Sequence, residues 1–351
     1  MILATINQRY NKIKIKLIVV LSFFFCSFFN FSSTCTEQDF QLRQEIEEAI
    51  HRGATWLLQQ QRSDGSWPIV TKDSHPSLVA TGLYGLKTIE ILLTIPKEDK
   101  EFNQLMYQQQ ELAISFLLAH QNPRGYWPVL GKIPWNEVEV TTAVLLGLTS
   151  AHYQGKEIEK AWQWLINQQE ENGSWNNDCW DTIWATNLLL DQYYPTEEEV
   201  IQKACNWLIR DQKSKGYWKT NLPHLKVFGS LWTTQPALFT LAKTGNYQET
   251  IIKGLSYLKK EQNRSGSFGR WDASKTGLAL YTFTSLEQYP SLMAEYRECA
   301  HKAVGWFLLK QHDKGTWPGG FHPFDIVDTS FALWGLTKFL TLFLTGSQEV
   351  N

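Results

Sequence analysis

The sequence predicts an all-α fold, an α/α toroid of six repeats with six inner and six outer helices over residues 40–345. Three observations lead there. One phrase returns six times: a small residue, an aromatic three positions on, Gln five later, Gly four later and a ring two later. The copies run Gly53-Trp56-Gln61-Gly65-Trp67, Ala113-Phe116-Gln121-Gly125-Trp127, Ala161-Trp164-Gln169-Gly173-Trp175, Ala204-Trp207-Gln212-Gly216-Trp218, Gly254-Tyr257-Gln262-Gly266-Phe268 and Ala303-Trp306-Gln311-Gly315-Trp317. The closing rings lie between 43 residues (Trp175 to Trp218) and 60 residues (Trp67 to Trp127) apart, the spacing of stacked copies of one supersecondary unit. After each ring comes a loop of variable length and then a more apolar segment, such as Thr81–Leu86, Thr142–Leu148 and Thr329–Leu336.

At the N-terminus, Arg9, Lys12, Lys14 and Lys16 precede an almost wholly apolar stretch from Leu17 to Phe31, followed by Ser32, Ser33 and Thr34. This order over residues 1–35 is that of a secretory signal, too short for a clear membrane span. It reads as a cleaved signal or an uncleaved anchor, so the expected location is periplasmic, secreted, or membrane-anchored through this segment. Within each repeat the residue after the aromatic is apolar: Leu57, Leu117, Leu165, Leu208, Leu258 and Phe307. Small residue, aromatic and this residue fall at i, i+3 and i+4, one stripe of an amphipathic outer helix. The Gln continues that stripe at the helix end, where an amide can reach backbone groups of a neighbouring helix terminus. The closing ring is expected to pack on the Gln of its own copy. Ser63-Asp64-Gly65 and Asn122-Pro123-Arg124-Gly125 are turn chemistry. The second helix of each unit is apolar all round and belongs inside.

Thirty-three basic against 35 acidic residues give a net charge of −2. With no basic run, nucleic-acid binding gains no support. Cys179, Cys205 and Cys299 are far apart and lack CxxC spacing, which reads as buried thiols with at most one incidental disulfide.

The six-fold phrase resembles the QW motif of squalene–hopene cyclases and related class II terpene cyclases. More loosely it is similar to the toroid superfamily that includes protein prenyltransferase β subunits. Arg52, Lys160, Lys203, Lys253 and Lys302 supply the basic residue that this motif places before its small residue, and Leu112 departs from it. The resemblance implies a toroid, an apolar isoprenoid-like substrate and no cofactor. Cyclases of the hopene type carry two helical domains with the cavity between them. This chain has room for one, so a partner subunit and membrane association through the N-terminus both stay open.

In that family an isolated double bond is protonated by a DxDD sequence followed by Thr at the start of an inner helix. Repeat two here reads Glu137-Val138-Glu139-Val140-Thr141, repeat three Asp178-Cys179-Trp180-Asp181-Thr182, and repeat six Asp325-Ile326-Val327-Asp328-Thr329. All three resemble the motif and none completes it. Glu139 stands at the donor's place, whereas Trp180 and Val327 occupy it in the other two. The resemblance therefore implies Glu139 as the acid, with Asp178, Asp181, Asp325 and Asp328 shaping the field around it. Inner-helix starts of a toroid converge on one mouth, where crowded carboxylates raise one another's pKa. The competing reading is that these acids cap helix N-termini; a third is that the i, i+3 pairs Asp178/Asp181 and Asp325/Asp328 hold a divalent cation.

Trp135, Trp180, Trp184, Trp232, Trp271 and Phe324 fall at the same end and would stabilise a carbocation by cation–π attraction, or simply form core. His75, His224 and His322 lie in loops after closing rings, a position from which they can face the mouth, although a lone His there is more often a surface residue than a base. No zinc site is expected, because Cys179 follows Asp178 directly and Asp328 stands where a ligating His is needed. The function implied is a terpene cyclase-like isomerase or lyase acting on an isoprenoid. The alternatives are a non-catalytic toroid binding an apolar ligand or partner protein, an exported glycan-acting toroid, and a prenyltransferase-like protein.

Overall fold

The structure, a computed structural model, describes residues 37–70, 75–95, 99–192, 198–270, 272–319 and 324–343. The expected signal or anchor, residues 1–35, lies outside the described residues. Outer helices are α1 (Glu37–Gln59), α3 (Lys100–Ala119), α5 (Lys156–Asn167), α7 (Glu198–Asp211), α9 (Gln248–Glu261) and α11 (Pro290–Lys310). Inner helices are α2, a π-helical turn Ala80–Leu86 continuing as Lys87–Leu93, then α4 (Glu137–Ser150), α6 (Cys179–Gln192), α8 (Gly229–Ala242), α10 (Ala273–Thr284) and α12 (Asp325–Phe343). The only ladder among the described residues is a two-residue antiparallel pair, Trp67–Pro68 with Pro76–Ser77.

Each inner helix packs against its two inner neighbours, and α12 returns onto α2, so the ring is closed. Each also packs on the outer helix of the following repeat, α12 on α1 included. The inner helices are buried nearly all round, as their uniform apolarity requires, while the outer ones bury one stripe. Helix α12 is long and apolar enough to cross a membrane by composition, but 78% of that window is buried inside the toroid.

The repeated phrase is the fastener between units. In every copy the Gln side-chain amide donates to two backbone carbonyls. One is that of the turn Gly in its own copy; the other belongs to the next outer helix, four residues before its small residue. Thus Gln61 reaches Gly65 and Gln109, Gln121 reaches Gly125 and Glu157, and Gln169 reaches Gly173 and Val200. Gln212 reaches Gly216 and Thr250, and Gln262 reaches Gly266 and Cys299. Gln311 closes the ring onto Ala49 at 2.8 Å while holding Gly315 at 2.9 Å. The Gly is required because its φ is positive in all six turns and it sits on a carbonyl of the next helix. A Cβ on Gly315 (φ 97) would come within 2.4 Å of the Arg52 carbonyl oxygen. That carbonyl belongs to the residue before the small one, so the contact with the turn Gly is to its backbone and Leu112 makes it as the basic residues do; at Arg52 the guanidinium also donates to Gln311 Oε1.

The ring itself differs from expectation in its polar link. Rather than engaging the Gln, the indole N–H donates to the carbonyl of the apolar stripe residue. The pairs are Trp67–Leu57, Trp127–Leu117, Trp175–Leu165, Trp218–Leu208 and Trp317–Phe307, at 2.6 to 3.0 Å. These rings and Phe268 are fully buried. Their backbone N–H groups donate to Thr81, Thr141, Thr182, Thr234 and Thr276 in five repeats, tying each turn to the start of its inner helix. The sixth departs: Thr329 Oγ1 is buried without a hydrogen-bond partner among the described residues.

Cys179, Cys205 and Cys299 are buried and unbridged, and burial pushes the Cys205 thiol up to about 12. Two outcomes follow for the fastener. Trp175→Ala should cost about 3–5 kcal/mol in chemical denaturation, and an unchanged midpoint would remove the clamp role. Gly315→Ala should lower the melting temperature. Gly305→Ala, within α11 with open space at its Cβ position, should raise stability by about 0.5–1 kcal/mol.

Candidate functional site

All six inner helices begin at one end of the ring, and a cavity of about 240 Å³ opens among these starts. It adjoins a smaller chamber of about 20 Å³, with Tyr84, Trp135 and Trp180 walling both. Counting two residues back from the inner-helix Thr gives Val79, Glu139, Trp180, Trp232, Ser274 and Val327, and every one of them lines one of these spaces. One position of the repeat thus builds the wall all the way round.

Glu139 does two things. Asn136 caps α4 by accepting from the Glu139 N–H at 2.9 Å, and Glu139 Oε2 accepts from the Asn136 N–H at 2.9 Å, a complete capping box. Its other oxygen, Oε1, lies 3.0 Å from His224 Nε2. The capping reading of Glu139 is therefore correct, and it does not exclude a place in the site. Asp181 is reached through the same Asn: Asn136 Nδ2 and Asn176 Nδ2 both donate to Asp181 Oδ2, at 2.9 and 2.7 Å. Asp181 Oδ1 is buried with no hydrogen-bond partner among the described residues, as are Thr142 Oγ1 and Trp184 Nε1, and all three residues line the small chamber. Burial raises the Glu139 carboxyl above its ordinary range. Asp181 is pushed well above it, by burial first and by the Glu139 charge second.

Across the cavity, Asp328 is buried and held up at about 8 by burial and by neighbouring Asp272. Its Oδ1 accepts from the Ser274 N–H at 3.2 Å. Asp272 caps α10 and pairs with Lys275 at 2.8 Å. Tyr84 lies in the fields of both Glu139 and Asp328, and burial raises its phenol.

The other two sequence-selected acids are elsewhere. Asp178 accepts from the Trp180 N–H, the Thr220 hydroxyl and the Asn221 N–H, fastening the α6 start to the repeat-four loop. Asp325 pairs with Lys314 Nζ at 2.6 Å and is partly exposed. Neither lines the cavity. The i, i+3 pairs consequently hold separate partners, and no group of three or more His, Cys, Asp or Glu residues suited to a metal occurs among the described residues. The cation reading of these pairs finds no support in the geometry.

Of the rings, Trp180 and Trp232 stack at 5.9 Å, Phe228 stacks on Trp232 at 5.0 Å, and Trp135 meets His224 edge-on at 4.9 Å. Phe324 closes the opposite wall and Trp184 the small chamber. Trp271 lies outside the described residues. Trp334 is core, its indole donating to Thr88. Sequence reasoning set His224 aside as a surface residue and passed over Tyr84, Asn136, Asn176 and Ser274. Asn136 was legible as the first residue of an Asn-x-x-Glu capping box; His224, in an irregular loop, carried no periodic signal.

Residues 34–179 match the model of the squalene-hopene cyclase C-terminal domain. Among solved structures, the apo type II terpene cyclase MstE from Scytonema is similar at 15% identity and a TM-score of 0.64, covering 85% of this chain and 99% of that one. An MstE variant in complex with geranylgeranyl dihydroxybenzoate, its substrate, matches at 15% identity and 0.65, covering 86% and 99%. A family 88 glycosyl hydrolase from Bacteroides vulgatus matches at 13% and 0.61, covering 85% and 99%. No curated protein matches the sequence. The chain is an α/α toroid similar in fold to class II terpene cyclases. The glycosyl hydrolase likeness shows that this fold alone does not choose the chemistry.

The Asp328 carboxyl has a testable pH signature. Its folded pKa stands above its unfolded value of 3.8, so the stability it allows is fully present below pH 3.8 and is lost as pH rises to about 8. Relative to the parent, Asp328→Asn should gain stability over that window, by up to about 1.4 kcal/mol per pH unit, and level off above it. Denaturation curves at pH 4, 6, 8 and 9 check this.

Proposed function

We propose that the protein acts on an apolar, isoprenoid-like substrate as a proton-initiated cyclase. The observation that carries this is the Glu139/Asp181 pair: two carboxyls, both raised by burial, at a chamber contiguous with an aromatic-lined cavity. A carboxylic acid kept neutral near pH 7 is what protonation of an isolated double bond needs. The C=C π pair forms the new C–H bond and the carboxylate keeps the O–H electrons. A second double bond of the same chain then supplies the electrons of a new C–C bond. The last cation sheds a proton to water at the mouth, so the product is an isomer of the substrate. Trp135, Trp180, Trp232 and Phe324 offer π faces to the cation on its way, and a dry cavity prevents early capture by water.

The cyclase match supports this reading in two respects. The matched MstE chain is covered over 99% of its length by one toroid, and its substrate and product complexes are isoprenoid-derived. A cavity of about 240 Å³ is at the small end of ligand pockets, which run to about 300–1,000 Å³, and favours a substrate shorter than a thirty-carbon chain. The basic-then-apolar order of residues 9–34 supports export or anchoring, where an apolar substrate is met at a membrane.

A second reading, an apolar-ligand carrier without catalysis, is favoured by one observation: both Glu139 oxygens are already hydrogen-bonded. One experiment separates the two. The purified full chain is incubated with squalene, prenyl diphosphates and geranylgeranyl dihydroxybenzoate, and products are examined for isomers with fewer double bonds. A cyclase gives such isomers, and the double variant Glu139→Gln/Asp181→Asn loses at least about a hundredfold in rate. Saturable binding without product sustains the carrier reading, and undiminished turnover in the double variant ends the proposal for this pair.

A further inference from the structure

Resting on the cyclase reading, we propose that the proton delivered to the substrate is held on Asp181 Oδ1, with Glu139 as its ionised partner. This reverses the order implied by the DxDD resemblance, where Glu139 has the donor's place and Asp181 only the position after it.

The hydrogen bonds separate the two carboxyls. Glu139 accepts from a backbone N–H in the first turn of α4 and is paired with His224 Nε2. Both partners favour a negative charge; the helix dipole acts on both carboxyls alike, because Asp181 stands in the first turn of α6. Asp181 accepts only from two neutral side-chain amides, and both converge on Oδ2. Among the described residues its Oδ1 has nothing to accept from and nothing to give to. An ionised Asp181 would leave a buried charged oxygen unsatisfied, which is costly. A neutral Asp181 places its hydrogen on Oδ1 and keeps both amide bonds on Oδ2.

The charged and titratable groups around the pair agree with this. Asp178 on the same helix start and Glu139 on α4 are both acids, and Tyr84 on α2 faces the pair with its phenol neutral. Among the described residues, the imidazole at this pair, His224, is bonded to Glu139 and not to Asp181. With one proton between two neighbouring carboxyls, it settles on the one held by neutral side-chain amides and no backbone N–H.

Delivery fits the same geometry. The Glu139 oxygens point to the helix cap and to the imidazole. Both carboxyls belong to the wall of the small chamber with Trp135, Trp180 and Trp184, and among the described residues it is Asp181 that has an oxygen, Oδ1, without a partner. Asp181 is thus the catalytic acid, and Glu139, His224, Asn136 and Asn176 are positioning residues. Asn136 couples the two carboxyls physically: its Oδ1 caps Glu139 while its Nδ2 holds Asp181 Oδ2.

The test reads the proton directly. Infrared spectra of the full chain at neutral pH should show the carbonyl stretch of protonated carboxylic acids, with Asp328→Asn identifying the contribution of that residue. Asp181→Asn, which retains the Oδ2 acceptor, should remove the remaining band. Glu139→Gln should keep that band but lose it at a lower pH than the parent, because the neighbouring charge has gone. A band that survives in Asp181→Asn, or one that Glu139→Gln abolishes at every pH, overturns the assignment. Turnover should fall at least about a hundredfold in Asp181→Asn, and by less in Glu139→Gln with a displaced pH profile. If no isoprenoid is turned over while the band behaves as described, the cyclase reading fails and the place of the proton stands.

Discussion

Everything in this toroid depends on a side-chain amide that bridges two backbone carbonyls. The Gln of each repeat joins the carbonyl of its own turn Gly to a carbonyl within the next outer helix, and the sixth Gln joins the last repeat to the first. The second carbonyl already serves the i, i+4 ladder of its helix, so the amide uses the spare lone pair of an acceptor that is nearly always in place. The helix side chains can then vary without weakening the junction. The indole closes the same corner from within, donating to the stripe residue's carbonyl while filling the space between repeats.

Site and scaffold share that corner. In five repeats the closing ring's backbone N–H is held by the Thr that begins the inner helix. Fixing this Thr fixes the residue two positions earlier, and that residue faces the cavity in all six units. The Thr of the acid motif is therefore first a structural residue. What varies around the ring is the side chain it presents: aliphatic in repeats one and six, carboxyl in two, indole in three and four, hydroxyl in five. A uniform frame carries a non-uniform wall, and the carboxyls gather where Asn136 and Asn176 can hold them.

Much of this was readable in advance. Gaps of fixed length in six copies specify helix, turn and ring, and the apolar second segments specify which helices lie inside. The frame also pointed to Glu139 and to Trp180 and Trp232, because their distance from the Thr is set by the helix. What the residues alone did not disclose lies off that frame. His224 reaches Glu139 from an irregular loop, across 85 residues of chain. Asp178 and Asp181 look equivalent as an i, i+3 pair, yet their carboxylates go to different partners because the repeat-four loop supplies a hydroxyl and a backbone N–H to Asp178 alone. Hydrogen-bond partners drawn from variable loops have no period to read.

The closure of the ring also bears on how the chain reaches it. Five junctions join sequence neighbours, whereas the Gln311–Ala49 junction joins residues 262 apart. The first outer helix, made earliest, must keep its apolar stripe uncovered until α12 and the last turn have formed, and such a distant contact has a high loop-closure cost. Because the six junctions are chemically alike, the chain's ends fall at an arbitrary seam. Joining residues near 37 and 343 and cutting between α8 and α9, at residues 243–247, would give a permuted chain with the same walls, whose latest-forming junction is a different one.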